Sequence, residues 1–119
     1  MASLNESLQD LMALDGALCA AVVEYNSGMM LGSIGSGVDL ELAAAGNTEV
    51  VRAKMKTMKA LGLDDAIEDI LITLSRQYHI IRPSAKQAGI FLYYVLDSSR
   101  ANLALARRKA SDVESKLVM

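Results

Sequence analysis

Apolar positions along the chain change period several times, and each change marks an element. From Ser3 the pattern is helical. Leu4, Leu8, Leu11 and Met12 fall at i, i+4, i+7 and i+8, within a Ser3-x-x-Glu6 capping-box spacing. Asp15-Gly16 ends this helix, because glycine takes the positive φ that a helix exit often needs. Ala17 to Tyr25 is then a β-rich apolar run around Val22 and Val23. Asn26-Ser27-Gly28 has turn chemistry, and Met29 to Ile34 resumes the run, which predicts a hairpin. Gly32, Gly35 and Gly37 are expected to break its second strand.

Asp39 has the chemistry of an N-cap, with Glu41 favoured in the first turn by the helix dipole. A long helix is expected from Leu40 to Ala60, ended by Leu61-Gly62-Leu63. Leu40, Ala44, Asn47, Val51, Met55 and Met58 line one stripe of it. Glu49, Arg52, Lys56 and Lys59 line another, spaced for ion pairing. Ile67 to Leu74 reads as a strand, with Ile70, Ile72 and Leu74 on one face and Asp69, Leu71 and Thr73 on the other. Tyr78 to Arg82 is the next strand, ended by Pro83, which has no ladder donor. Gly89 to Leu96 is the most apolar strand and is expected at the centre of the sheet. Asp97, Ser98 or Ser99 is expected to cap a final helix, whose Leu103, Ala106, Ala110, Val113 and Leu117 form one seam. Connections this short between strands are hairpins. The class is therefore α+β, in the order α-β-β-α-β-β-β-α, with helices packed on an antiparallel sheet. With no linker or internal repeat in 119 residues, 1–119 reads as a single domain.

Composition narrows the function. The chain is 52% hydrophobic and 22% charged, a globular balance. Twelve basic against 14 acidic residues give a net charge of −2, so no nucleic-acid partner is expected. The single cysteine excludes an intrachain disulfide. Met1 to Glu6 has neither a basic stretch nor a long apolar run, and the two features together point to a reducing, cytoplasmic setting. The longest apolar run, Ala88 to Leu96, is strand-sized and well short of the ~18 residues of a membrane span, so no membrane partner is expected. One histidine cannot build a His-based metal site within one chain, and neither metal nor cofactor is expected.

Four groups of residues invite a chemical reading. Gly32-Ser33-Ile34-Gly35-Ser36-Gly37 has the G-x-x-x-x-G frame of a phosphate loop between a strand and a helix. Val38-Asp39 follows, however, where lysine and a hydroxyl residue belong, so the segment reads as a connection. Cys19 and His79 are the only thiol–imidazole candidates. Both read as structural, since Cys19 lies among Leu18, Ala20 and Ala21 and no orienting third residue accompanies them. Asp64, Asp65, Glu68 and Asp69 lack the alternation and glycine bend of a calcium loop and read as a solvated turn. Arg52, Lys54, Lys56 and Lys59 make the long helix locally basic, which suits a solvated face or a partner-docking face. Met55 and Met58 suit either core filling or an adaptable interface.

The strand Ile67 to Leu74 carries apolar residues on both faces, and such a strand must be covered or it pairs with another chain. If it lies at a sheet edge, a symmetric dimer joining edge to edge and helix to helix would cover both it and the Met55/Met58 stripe.

The chain resembles the roadblock / dynein light chain family over nearly its whole length. The residues that carry the likeness are the hairpin Ala20-Ala21-Val22-Val23-Glu24-Tyr25-Asn26-Ser27-Gly28-Met29-Met30-Leu31-Gly32 and the C-terminal half. The latter contributes His79-Ile80-Ile81-Arg82-Pro83, Gly89-Ile90-Phe91-Leu92, Asp97 and Ala101-Asn102-Leu103-Ala104-Leu105-Ala106-Arg107-Arg108. The resemblance implies a five-stranded antiparallel sheet with the long helix on one face and the terminal helices on the other. It implies a homodimer or heterodimer built on the third strand and the long helix. Here that interface would comprise Val51, Met55, Met58, Ile67, Ile70, Leu71, Ile72, Thr73 and Leu74. It further implies no catalytic residues and a small Ras-like GTPase as partner, or attachment to dynein as a scaffold, in what looks like a compact prokaryotic member.

The leading expectation is a non-enzymatic dimeric module that regulates a small GTPase, with Arg52, Lys56 and Lys59 as a partner face. A small-molecule sensor, which needs a sizeable cavity, is the alternative from another class. An enzyme would need a nucleophile–base pair or a metal set, and neither can be assembled.

Overall fold

The computed structural model describes residues 2–119, so Met1, the first residue of the N-terminal stretch read above, lies outside the described residues. The elements are α1 (Leu4–Met12), β1 (Ala17–Glu24), β2 (Met29–Gly35), α2 (Leu40–Ala60), β3 (Ile70–Thr73), β4 (Gln77–Pro83), β5 (Ile90–Asp97) and α3 (Leu103–Lys116). The strands form one antiparallel sheet in the order β2-β1-β5-β4-β3. The α+β class and element order are as the sequence predicts.

Alternation along the strands builds two cores. Ala20, Val22, Ile80, Leu92, Tyr94 and Leu96 face α1 and α3, where Leu8, Leu11, Ala106, Ala110 and Val113 meet them. Cys19, Ala21, Val23, Ile81, Phe91, Tyr93 and Val95 face α2 and pack on Ala44 and Val51. The terminal helices thus share one face of the sheet, and the long helix covers the other.

Local chemistry sets the helix starts. Ser3 and Glu6 form a complete capping box on α1, and Asp39 accepts from the Leu42 amide at 3.2 Å to cap α2. The cap of α3 differs from expectation. Asn102 accepts from the Leu105 amide at 3.1 Å, whereas Asp97 accepts from both the amide and the hydroxyl of Ser99. Asp97 therefore closes a turn after β5, and α3 begins several residues later.

The second strand also differs. It runs through Gly32 and stops only at Gly35. Leu31 is an extra residue opposite Val22 and Val23, and the bulge lets the strand continue. Gly32 leaves room for Leu4, whose Cδ2 would lie 2.9 Å from a Cβ at that position. Gly35 has φ +83°, and a Cβ there would collide with the Leu18 carbonyl.

The third strand is shorter than expected. Only Ile70–Thr73 pairs with β4; Ile67 to Asp69 and Leu74 lie outside it. Continued in register, Glu68 would oppose Pro83, which has no N–H to offer, and the ladder ends there. Asp69 is drawn instead to Arg107 of α3 through two hydrogen bonds of 2.9 and 3.0 Å.

Under α2 lies a small polar network. His79 Nδ1 pairs with the Tyr93 hydroxyl at 2.9 Å, and Nε2 pairs with Gln77 Oε1 at 2.8 Å. Burial lowers the His79 pKa below its ordinary 6.5 and raises that of Tyr93.

Two measurements check this packing. Gly35→Ala is expected to lower the denaturant-derived stability by more than about 2 kcal/mol, through a forbidden φ and a backbone clash. His79 is held neutral in the fold, so the unfolded chain takes up a proton more readily. The stability it contributes is present above pH 6.5 and is lost as pH falls from there toward its lowered folded value. Thermal melts between pH 7 and 5 should show that slope in the native chain and a flatter one in His79→Gln.

Candidate functional site

The chemical candidates come apart in the fold. Cys19 and His79 both flank Val95 of β5, on the same face of the sheet but two strands apart, about 10 Å. The Cys19 thiol is buried, and burial raises its pKa. The glycine segment leads into α2, but the Asp39 carboxylate already accepts from an amide of the first turn. In the acidic cluster, Asp69 is taken by Arg107 and Asp65 accepts from the Ala66 amide. Among the described residues, no group of three or more His, Cys, Asp or Glu side chains is placed to hold a metal ion. No described helix is long and apolar enough to cross a membrane.

The surfaces singled out for a partner are more informative. β3 lies at one edge of the sheet, with β4 its only neighbour among the described residues. Ile70 and Ile72 turn toward the α2 core and Leu71 toward the α1/α3 core, while Thr73 and Leu74 are exposed. Val51 is 0% exposed and packs on its own sheet. It therefore offers no surface to a second chain, which corrects its expected place at an interface. Met55 packs against the same core. Met58, Lys59 and Ile67 line a cleft near the end of the sheet instead. The reason is rotational: at 100° per residue, the Val51/Met55/Met58 stripe is the one α2 turns inward.

The stripe α2 turns outward was missed. Leu42, Gly46, Val50, Ala53, Thr57 and Leu61 recur at spacings of 4, 4, 3, 4 and 4. All six are exposed, with Leu42 at 71% and Leu61 at 66%. A Cβ on Gly46 would meet nothing within 4 Å. Apolar residues on two opposite sides of one helix were the available signal. Arg52, Lys56 and Lys59 line one flank of this stripe and Lys54 the other, by helical rotation. All four are exposed, and none is in an ion pair with a described residue. The acidic residues of α2 and its cap, Asp39, Glu41 and Glu49, lie in the N-terminal half, and the four basic ones lie in the C-terminal half.

No protein-family model matches the sequence, and no curated protein matches it. Solved structures match in shape. The Roadblock/LC7 domain from Streptomyces avermitilis gives a TM-score of 0.81 at 11% identity, over 96% of this chain and 93% of that one. The gliding protein MglB from Thermus thermophilus gives 0.80 at 16% identity, over 92% and 82%. MglC from Myxococcus xanthus gives 0.58 at 16% identity, over 95% and 98%. At such identities it is the architecture that is shared: the same layers arranged around the same kind of sheet. The chain has the Roadblock/LC7 fold.

Proposed function

We propose that this chain, as one domain spanning 1–119, is a non-catalytic, two-fold interaction module that binds a small Ras-like GTPase. The observation that carries the reading is the exposed apolar stripe on the outer side of α2, together with the open edge of β3. Two exposed features of this kind call for a partner, and a two-fold axis lets one patch serve both copies.

Charge selects the arrangement. Parallel α2 helices would set acid against acid and base against base. Antiparallel helices set the Glu41/Glu49 half against the Arg52/Lys56 half of the mate. In that register Leu42 meets Leu61, Gly46 meets Thr57 and Val50 meets Ala53, so a small residue opposes a larger one at each inner layer. Ile70–Thr73 of each copy then pair edge to edge and continue the sheet. Thr73 and Leu74 keep the interface role expected of them. Ile70, Leu71 and Ile72 contribute backbone, since their side chains already serve the two cores of their own chain.

The GTPase partner rests on the resemblance to the roadblock family and on the likeness to MglB. The mechanism is positional. A rigid two-fold surface that prefers one nucleotide state of its partner raises the population of that state. The Arg52, Lys56 and Lys59 flank stays outside the apolar seam and can steer an acidic partner. This reading places the protein in the cytoplasm.

Two outcomes are expected. The native chain should sediment at twice the chain mass, and Gly46→Arg at the mass of one chain. Because position 46 is open and glycine is a poor helix former, the variant should remain folded, with its helix favoured by up to about 1 kcal/mol. A native chain that stays monomeric at micromolar concentration would rule out the two-fold reading. Second, immobilised chain should capture a small GTPase from lysate in only one of two lanes, loaded with a GTP analogue or with GDP. Lys59→Glu should reduce that capture without changing the sedimentation mass. No GTPase in either lane would remove this partner.

A further inference from the structure

The early end of β3 leaves a cavity behind. In the β3–β4 register, Asp69, Glu68 and Ile67 would have lain against Arg82, Pro83 and Ser84. Instead, segment 64–69 swings away from β4, anchored at Asp69 by Arg107. Between the segment and the end of β4 lies a cleft of about 610 Å³, within the size range of small-molecule sites.

Its walls divide by chemistry. Tyr25, Met55, Met58 and Ile67 give it an apolar side, and the two thioethers adapt readily to the shape of a guest. The polar side is rich in acceptors. Ser84 donates to the Ile90 carbonyl of β5, and Leu74 donates to the Gln77 carbonyl from the β3 side. By that alternation the Pro83 carbonyl points to the side β3 has left, with no donor from a described residue to meet it. Glu68 and Asp65 lie at the mouth.

Glu114 of α3 also lines the cleft, and its side chain is only 6% exposed. Arg82 Nε donates to Glu114 Oε1 at 3.3 Å, and no hydrogen bond from a described residue reaches Oε2. One carboxylate oxygen is thus held by Arg82, while the other is accessible where Glu114 lines the cleft and can accept from a guest. Arg82, which meets Glu114 through Nε, and Lys59 also line the cleft, against the three carboxylates of Asp65, Glu68 and Glu114. The excess of acceptors favours a cation over a carboxylate.

We propose that this cleft binds a small amphipathic amine, with its ammonium group directed to Glu114 and Glu68 and its apolar body against Met55 and Met58. The site is built within one chain, so it stands whether or not the chain dimerises.

The test is a titration of the full chain, labelled on its methionine methyls, with octylamine, octanoate and octanol. Octylamine should give saturable shifts at Met55 and Met58, with Met12 of α1 as the unshifted internal control. Octanoate should give none, and octanol should bind more weakly. Glu68→Gln and Glu114→Gln should each weaken octylamine about tenfold, the scale of one charge-assisted hydrogen bond. Met58→Lys, which sets the protein's own ammonium in the cleft, should abolish saturation while its melting curve shows a folded chain. That variant keeps the test decisive if Glu114→Gln does not fold. Linear shifts, octanoate or octanol binding as tightly as octylamine, or unchanged binding in Met58→Lys would each overturn the proposal.

Discussion

The double burial of β5 is the constraint on which the rest of the structure depends. Ile90 to Leu96 are all buried, and the strand pairs with β1 on one side and β4 on the other. Its odd residues Phe91, Tyr93 and Val95 supply the core under α2. Its even residues Ile90, Leu92, Tyr94 and Leu96 supply the core under α1 and α3. An antiparallel strand normally keeps one polar face; this one is apolar throughout because helices cover both sides. The two tyrosines fit because each hydroxyl reaches a partner on its own side. Tyr94 donates to the Leu11 carbonyl in α1, and Tyr93 pairs with His79. β5 is also the last strand in the chain. The β1–β2 hairpin and the β3–β4 hairpin have no contact in the sheet except through it, so neither is locked in place until residue 97 has been added.

The two faces of the sheet are covered unequally. α1 and α3 lie together on one, and their buried Leu11, Ala106, Ala110 and Val113 are spread over both helices. α2 covers the other alone, over 21 residues, yet it buries only Ala44, Thr48 and Val51. Small residues at the contact let its backbone come close to the sheet, and Thr48 closes its own hydroxyl on the Ala44 carbonyl at 2.7 Å. That economy leaves most of the helix surface for other uses. The unfilled apolar stripe and the basic flank therefore occur on the same element, and it is this element that the interaction reading rests on.

The sequence showed the elements more clearly than it showed how they are used. Ile70/Ile72 against Leu71, the Ser3-x-x-Glu6 spacing and the Leu103 to Leu117 seam all report local periodicity, which a chain carries in its residue order. Asn102 shares its capping chemistry with Asp97, Ser98 and Ser99, and only the turn after β5 decides among them. α2 has apolar residues on two sides, and periodicity does not say that the side carrying Val51 is the one that meets the sheet. The cleft at the end of β4 depends on what stands opposite Pro83. That is a matter of register between segments far apart in sequence, and no local pattern encodes it.

Pro83 links the two proposed surfaces. By ending the ladder it opens the cleft, and it also limits the free edge of the sheet to Ile70–Thr73. Four residues offer few hydrogen bonds to a second strand, and a short edge is one of the ways proteins avoid indiscriminate pairing. Edge pairing between two copies would therefore be too weak to select its mate by itself. The outer stripe of α2 would have to supply both the apolar area and, through its acidic and basic halves, the orientation. A longer β3, running from Ile67 as the residue pattern alone suggests, would have closed the cleft and made the edge the dominant contact. With the strand as short as it is, any partner of this edge must also fit the helix.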